Sequence, residues 1–319
     1  MRLLLLLIGA LCVVSANASE NVSVAKFKGN CKAAVSYTFD DGLAEHYSLV
    51  APEMEKRGFR ATFFINGSKI NDVHSQKKDS TRLSWDEVRE MSLRGHEMSN
   101  HGWAHRNFAK FPLEEIQRDI IKNDSAIYAN TGRIPRTFAY PNNNKSEPGR
   151  SFVQQKRVGT RIRQWSVGSK RTLEALNNWV DSLIEKGEWG VGMTHGLTYG
   201  YDAFVQPQRF WDHLDYVKNK VDNNLIWVGT FEEIAAYVKA RDEVKFKIRK
   251  TRDGLTITPS LNLDKDLFTE NLTMIVNLRK STEISVTQGN MDIAVRYFED
   301  NAIFDIDPFG SPIQIRFKE

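Results

Sequence analysis

Between residues 33 and 240, short apolar and β-branched runs alternate with longer amphipathic stretches, and this alternation limits the fold more than any other feature. Strands that are joined through helices usually pair in parallel, so the pattern predicts a mostly parallel sheet with helices outside it. About seven strands in this length favour a distorted (β/α) barrel, with a doubly wound open sheet as the alternative. The predicted strands are 33–39, 60–65, 96–100, 136–140, 163–167, 190–194 and 225–228. The predicted helices are 49–57, 85–93, 113–130, 173–186, 208–219 and 231–240.

The pattern changes after residue 242. Short alternating runs follow, separated by turn pairs such as Asp253-Gly254 and Gly289-Asn290. Pairs of this kind are typical of tight hairpins between antiparallel strands. We therefore predict a barrel domain over residues 25–242, followed by a small, sandwich-like all-β domain over residues 243–319.

The first 18 residues resemble a signal peptide. Met1-Arg2 gives a positive start, residues 3–14 are an unbroken apolar run, and Ala16-Asn17-Ala18 suits cleavage. The sequence therefore predicts export, either to a periplasm or out of the cell. Cys12 raises the alternative of a lipoprotein anchor, but the bulky Leu11 before it argues against one. No later run is long enough to predict a transmembrane segment.

The charge balance does not indicate a nucleic-acid partner. The chain has 44 Lys and Arg against 40 Asp and Glu, and removal of Arg2 with the signal leaves 43 against 40. These charges are mixed along the sequence, whereas a nucleic-acid-binding domain concentrates its basic residues. Cleavage would also leave Cys31 as the single cysteine, so we expect no internal disulfide.

Two adjacent acids follow the first predicted strand, in the run Thr38-Phe39-Asp40-Asp41-Gly42. In an α/β barrel the carboxyl ends of the strands face the active site. Adjacent carboxylates raise one another's pKa, and a divalent cation relieves this repulsion when one of them binds it. The other carboxylate then remains available as a general base. A polar turn is the alternative, because Asp-Gly is a common turn pair.

Two histidines, His101 and His105, follow the predicted strand 96–100. On a helical turn, side chains four residues apart lie about 5–6 Å from each other, which suits chelation of one metal. Two unrelated surface histidines are the alternative. Together with Asp41 the histidines form a set of two imidazoles and one carboxylate, which leaves metal positions open for water and substrate.

Two further strand ends carry candidate catalytic groups. His195 follows the predicted strand 190–194, and a histidine there suits protonation of a leaving amine or alcohol. The alternatives are that His195 is a third metal ligand or that it has only a structural role. The loop Tyr140-Pro141-Asn142-Asn143 ends the predicted strand 136–140, and backbone N–H groups in such a loop can bind a developing oxyanion.

In this order, the motifs resemble those of the polysaccharide deacetylase family (carbohydrate esterase family 4, which has the NodB homology domain). The match to the first motif, with its two acids, is complete. His101 and His105 match the second motif, although Gly102 stands where Ser or Thr is usual. Met193-Thr194-His195 matches the fifth motif, which usually begins with Leu. The resemblance covers roughly residues 30–240.

The resemblance implies a metal-dependent hydrolase that removes N- or O-linked acetyl groups from a polysaccharide. It implies that Asp41, His101 and His105 bind a divalent metal, usually zinc. Asp40 would be the base that activates the attacking water, and His195 would protonate the leaving group. The fold it implies is a distorted (β/α) barrel with fewer than the usual eight strands.

The third motif departs from the family. The usual pattern is Arg-Pro-Pro-Tyr-Gly, or Ala-Tyr-Pro-Tyr-Gly in a subgroup, whereas this chain has Ala-Tyr-Pro-Asn-Asn. Ala139 thus occupies the position of the arginine that usually holds the catalytic aspartate, and Arg136 lies three residues too early to replace it. Asn142 takes the aromatic position, and its backbone N–H can still serve the oxyanion. We find no fourth motif, so the sequence does not identify what supports Asp40.

The expected partner is an acetylated polysaccharide or oligosaccharide. We predict that sugar rings contact Tyr140, Tyr199 and Tyr201, because aromatic rings in loops present apolar faces. Packing in the core is the more common role of such rings and is the alternative. A non-catalytic or weakly active carbohydrate-binding protein on the same scaffold is the main alternative. A hydrolase that acts on an amide outside sugars is another.

Overall fold

The structure is a computed structural model that describes residues 21–72, 78–168, 170–278 and 282–318. The predicted signal peptide, residues 1–18, lies outside the described residues. Within those ranges, no helix has both the length and the apolar character needed to cross a membrane.

Eight strands form one parallel sheet, which curls into an incomplete barrel. They are β2 (Ala33–Asp40), β3 (Thr62–Ile65), β4 (Glu97–Asn100), β5 (Thr137–Ala139), β6 (Gly159–Arg161), β7 (Trp165–Ser166), β8 (Trp189–Thr194) and β9 (Ile226–Val228). The hydrogen-bonded order is β6-β5-β4-β3-β2-β8-β7, and β9 pairs with the first residues of β2. Consecutive strands β6 and β7 lie at opposite ends of this order, so the barrel is open between them. The predicted distorted (β/α) barrel is confirmed.

The strands differ from the prediction at one place. The predicted strand 163–167 contains only the two residues of β7, and β6 was not predicted at all. A strand of three residues is too short to show an alternating pattern, so periodicity does not detect it.

Helices cover the outside of the sheet. They are α1 (Ala51–Lys56, after a π-helical turn at His46–Val50), α2 (Trp85–Leu93), α3 (Leu113–Thr131), α4 (Gly149–Gln154), α5 (Leu173–Lys186), α6 (Gln208–Asp222) and α7 (Phe231–Glu243). Single 3₁₀ turns occur at Lys28–Asn30, Gly67–Lys69 and Pro141–Asn143. At the start of α2, Ser84 Oγ accepts the N–H of Glu87, whose carboxylate accepts the N–H of Ser84. This capping box satisfies two backbone donors that the helix itself leaves free.

A β-sandwich follows the barrel. Its strands are β1 (Val22–Val24), β10 (Lys245–Lys250), β11 (Gly254–Ser260), β12 (Leu272–Asn277), β13 (Ile284–Gln288), β14 (Met291–Ile293), β15 (Arg296–Phe298), β16 (Asn301–Ile306) and β17 (Ile313–Phe317). One sheet has the order β1-β12-β16-β15 and the other β10-β11-β17-β13-β14, and all their pairs are antiparallel. The predicted all-β C-terminal region is confirmed.

The sandwich and the barrel share a packed boundary. Tyr237 and Ala240 of α7 lie in the same buried cluster as Met274 and Phe304 of the sandwich. The predicted domain bounds stay a prediction, and the structure adds that β1, which precedes residue 25, pairs with β12.

The fold gathers the candidate residues at one end of the barrel. Asp40 ends β2, His101 follows β4, Tyr140 follows β5, Arg161 ends β6 and His195 follows β8. Because all these strands run parallel, their carboxyl ends open on the same side.

Candidate active site

Three side chains converge as a set that could hold a metal. The ligand atoms of Asp41, His101 and His105 all lie within 4.8 Å of one another. Nδ1 of His101 lies 2.8 Å from the carbonyl oxygen of Ala139, so this nitrogen donates and Nε2 is left as the ligand atom. Burial lowers the pKa of His101, which keeps the imidazole in its neutral, ligating form.

Asp41 provides an independent test of whether these residues fit a cation. Its Oδ1 is buried and has no hydrogen-bond partner among the described residues, and it lies 3.7 Å from Nε2 of His101. A buried carboxylate oxygen without a partner is costly, and a divalent cation would satisfy it. The donor set therefore fits a metal.

The two histidines come together through a loop, which corrects the expectation of a helical turn. Residues 101–105 are not helical, and the backbone is left-handed at Gly102 (φ +77°) and at His105 (φ +54°). The side chain of Asn100 accepts the N–H of Gly102 at 2.7 Å, and Asp119 accepts the N–H of Ala104 at 2.9 Å. These bonds fix the loop between the two ligands.

Asp119 also explains why glycine replaces the usual Ser or Thr at position 102. A Cβ atom on Gly102 would lie 2.7 Å from Oδ2 of Asp119, closer than real Cβ contacts. The carboxylate thus occupies the space that a side chain at position 102 would need.

Arg161 supplies the guanidinium that the third motif lacks. Its Nη1 donates to Oδ1 of Asp40 at 2.7 Å and its Nη2 to Oδ2 at 2.5 Å, and both side chains are buried. Burial acts to raise the pKa of Asp40, but the charge and hydrogen bonds of Arg161 hold it well below its usual range. Asp40 is therefore an oriented, ionised carboxylate.

The register of the sheet explains how Arg161 reaches this position. Ala139 of β5 and Arg161 of β6 are direct neighbours across the two strands. An arginine on the adjacent strand thus replaces one at position 139. The sequence analysis did not identify Arg161 because it did not predict β6. The only feature of the sequence that indicates Arg161 is that it is a basic residue at the end of that strand.

His195 is paired with Asp202, a residue that sequence reasoning also missed. Oδ1 of Asp202 accepts the backbone N–H of His195 at 3.1 Å and lies 3.2 Å from Nδ1 of its ring. Burial acts to lower the pKa of His195, but Asp202 and the nearby charges of Asp40 and Asp41 raise it above its ordinary value. No local pattern distinguishes Asp202 from other loop acids.

Two buried residues form hydrogen bonds with the loop that follows β8. Nε2 of His46 lies 2.6 Å from the carbonyl oxygen of His195, and burial lowers the pKa of His46 to about 4. This histidine is therefore neutral and donates to the carbonyl. The carboxylate of Glu45 accepts the N–H groups of Leu197 and Thr198.

Several residues of the site line one cavity of about 380 Å³. Asp40, His101, His105 and His195 form part of its wall together with Asn142. Asn142 has a left-handed backbone (φ +55°), a conformation that asparagine tolerates. Its predicted role at the oxyanion stays a prediction.

The three predicted sugar-contacting tyrosines lie in different environments. Tyr201 lines the cavity and is 78% exposed. Tyr140 also lines it but is only 1% exposed, and its hydroxyl contacts Thr160 Oγ1 at 3.2 Å. Tyr199 is not among the described residues that line this cavity. Its hydroxyl donates a hydrogen bond to the carbonyl oxygen of Thr81 at 3.0 Å.

Comparisons with known proteins point to one family. Residues 28–158 match the family model described as polysaccharide deacetylase. The chain is 28% identical over 144 residues to the peptidoglycan-N-acetylglucosamine deacetylase PgdA of Listeria monocytogenes, covering 45% of this chain and 28% of that protein. It is 27% identical over 104 residues to a chitin deacetylase of Pestalotiopsis, covering 33% of this chain and 32% of that protein. A solved family 4 acetyl xylan esterase from Clostridium thermocellum aligns at 22% identity and a TM-score of 0.46, covering 63% of this chain and 89% of the esterase.

Proposed function

We propose that this chain, whose residues 28–158 match the polysaccharide deacetylase family model, is a metal-dependent hydrolase that removes acetyl groups from a polysaccharide. The observation that carries the proposal is one cavity lined by an ionised aspartate, by two histidines that form a metal-competent set with Asp41, and by a third histidine that is paired with a carboxylate. These are the parts that hydrolysis of an acetyl group requires.

Asp41, His101 and His105 would hold the metal. Two imidazoles and one carboxylate suit zinc, which we propose as the resident ion. When bound, such a cation lowers the pKa of a water molecule and polarises the acetyl carbonyl.

Each of the chain's other groups has a definite task in this proposal. Asp40 is ionised and takes the proton of the attacking water, and Arg161 keeps its carboxylate oriented. The backbone N–H of Asn142 donates to the oxyanion that forms from the carbonyl. His195, whose pKa Asp202 helps to raise, gives its proton to the leaving nitrogen or oxygen.

We propose an N-acetylated polysaccharide as the substrate. The two relatives named above are a peptidoglycan-N-acetylglucosamine deacetylase and a chitin deacetylase, and the first of these names specifies an N-acetylated sugar. An amine is a poor leaving group unless it is protonated, so the Asp202–His195 pair suits an amide. Because the chain covers 28% and 32% of these relatives, their polymers carry over only as candidates.

The test is acetate release from N-acetylated chito-oligosaccharides, peptidoglycan and acetylated xylan. We expect a chelator to abolish release, added zinc to restore it, and Asp40→Asn to remove it. Asp222→Asn is the matched control, because it removes an exposed carboxylate that pairs with Lys218 on α6. Full activity of Asp40→Asn would refute the proposed base.

A non-catalytic carbohydrate-binding protein predicts a different result, namely glycan binding with no acetate release from any of these substrates. The altered third motif favoured that alternative. Arg161 weakens it, because the chain keeps a guanidinium on Asp40.

We also propose that residues 1–18 direct export to a periplasm or out of the cell. The support is their charged start, apolar run and small residues before the expected cleavage point. Fractionation of the producing cells, with N-terminal sequencing of the exported protein, tests this. A mature chain that retains Met1 and stays inside the cell would contradict it.

A further inference from the structure

We propose that the outer face of the sheet β10-β11-β17-β13-β14 binds an anionic polysaccharide at a site separate from the catalytic cavity. We call this surface the basic sheet face and define it by Lys245, Lys247, Arg249 and Arg316. The proposal concerns binding alone, so it does not depend on the proposed deacetylase activity.

The first observation is the alternation along β10. Lys245, Lys247 and Arg249 are exposed, whereas Phe246 and Ile248 between them are partly buried against the sandwich core. In a strand, alternate side chains point to opposite faces of the sheet. The three bases therefore stand in one row on the outer face.

The second observation is where Arg316 lies. It is exposed on β17, the central strand of the sheet, between Gly254 of β11 and Ser285 of β13. Neighbouring strands are about 4.8 Å apart, so β10 and β17 are separated by about 10 Å. Apart from Gly254, the positions between and beside the bases carry hydroxyl or amide groups, namely Thr256, Thr258, Ser260, Ser285, Thr287 and Gln314.

The third observation is the absence of compensating charge. Among the described residues, none of the four bases forms an ion pair within 4.0 Å. The strand registers place two acids on this face: Asp292 of β14, at the edge opposite β10, and Glu283 just before β13, which pairs with Lys318 at 3.4 Å. Successive bases on β10 lie about 7 Å apart, and the registers displace Arg316 by two strands and two residues from Arg249, so these two lie about 12 Å apart. A polymer with a charge on every unit extends over the whole row. One polyanion can therefore interact with all four bases.

Protection of an exposed sheet edge explains only part of this pattern. Lysines on an edge strand discourage pairing with other chains, which accounts for the three bases of β10. Arg316 has no such role, because β17 has a hydrogen-bonded strand on both sides. Protection of the edge therefore leaves the position of Arg316 unexplained.

The chemistry of the face favours an acidic glycan over other polymers. Neutral sugars and single-stranded nucleic acids bind by stacking on aromatic rings, and the outward positions of these described strands hold none. A membrane-binding surface needs apolar side chains to insert, and they are also missing there. Hydroxyl rows beside cations match a polymer that carries both hydroxyl groups and carboxylates or sulfates.

The test measures binding of the purified full chain to polygalacturonate and to dextran sulfate, with neutral dextran of equal length as the reference. We compare Lys247→Gln/Arg249→Gln/Arg316→Gln with the matched control Lys110→Gln/Arg133→Gln/Lys186→Gln, whose three exposed bases lie on the barrel. We expect the sheet variant to bind at least about tenfold more weakly and the control to bind as the native chain does. Binding to only one of the two polymers would identify the acidic group as the carboxylate of polygalacturonate or the sulfate of dextran sulfate.

Several results would overturn the proposal. They are equal binding by the two triple variants, equally tight binding of neutral dextran, and tighter binding of duplex DNA or anionic phospholipid vesicles at the same salt concentration. The single variant Arg316→Gln tests the same point with minimal disturbance of the fold, and we expect a loss of about threefold. Circular dichroism and thermal melting verify that each variant is folded.

Discussion

Replacing Arg161 by glutamine would remove the guanidinium that holds Asp40 while keeping a side chain of similar shape. Both hydrogen bonds from Arg161 to the carboxylate would be lost, at 2.7 and 2.5 Å. Both side chains are almost fully buried, at 2% and 3% exposure, so the charge of Asp40 would lose most of its compensation. The change therefore isolates what the arginine does for the base.

The size of the effect follows from the pair's geometry. Charges about 4 Å apart in an effective dielectric constant of about 20 interact by about 4 kcal/mol. This energy corresponds to a pKa change of about 3 pH units. Burial, which already acts to raise the pKa of Asp40, would then be opposed only by the weaker effects of His101 and His195, so we expect the pKa of Asp40 to rise above its ordinary value.

Stability should respond to pH with the opposite sign in the two proteins. In the native chain the pKa of Asp40 is depressed, so the pair stabilises the fold above the unfolded pKa of about 3.9. That stabilisation is lost as the pH falls toward the folded value. In Arg161→Gln we expect the folded pKa of Asp40 to exceed the unfolded one, so this carboxylate should destabilise the fold above its raised pKa and Tm should rise as the pH falls through that pKa. Near neutral pH the variant should lose about 3–5 kcal/mol.

The assay is kcat/KM for acetate release from an N-acetylated chito-oligosaccharide between pH 4.5 and 8.5, with metal supplied. We expect the loss in Arg161→Gln to be about tenfold larger at pH 5 than at pH 8, because the base becomes protonated at the lower pH. A loss that is the same at every pH would refute the reasoning, since it would mean that Arg161 does not control the charge of Asp40.

Two further variants separate this effect from simple destabilisation. Arg157→Gln removes another little-exposed arginine, one that pairs with Asp124 and is absent from the cavity lining, so it should lower stability without shifting the pH profile. Ala139→Arg in the Arg161→Gln background should restore part of the activity at low pH, because the two positions are neighbours across β5 and β6.

Three further predictions concern the rest of the site. His105→Ala should lower bound zinc from about one ion per chain to near zero by elemental analysis, and unchanged zinc would contradict the proposed ligand set. Asp202→Asn should lower the pKa of His195 and move the alkaline limb of the kcat/KM profile to lower pH, whereas an unmoved limb would show that the pair does not tune the acid. Gly102→Ser should cost about 1–3 kcal/mol of stability and weaken zinc binding, because its φ is +77° and its Cβ would contact a carboxylate. Gly132→Ser is the control, since φ is +71° but the space around it is open, so zinc binding should not change.

The sequence by itself determined the barrel and the positions of its main polar motifs. The alternation of strand and helix patterns is a local property of the sequence, so it can be recognised without knowledge of contacts between distant residues. The same holds for the pair Asp40-Asp41 and for His101 and His105, which come directly after predicted strands. Parallel strands place such positions at one end of the sheet, whatever the details of the helices.

Only the tertiary structure decided how these groups are supported. Arg161 lies 121 residues from Asp40, and its side chain reaches the carboxylate because of the register between β5 and β6. Asp202 meets His195 through the course of a loop, and Tyr199 turns away from the cavity to contact Thr81.

The same reason accounts for the basic sheet face. Along the sequence its bases alternate with apolar residues, and Arg316 follows Arg249 by 67 positions, so no basic run is visible. Pairing of β10, β11 and β17 brings them to one surface. The sequence gives residue types and local hydrophobic periodicity directly. Which residues become neighbours across strands depends on the strand register and on the curvature of the sheet, and these are determined by packing of the whole core.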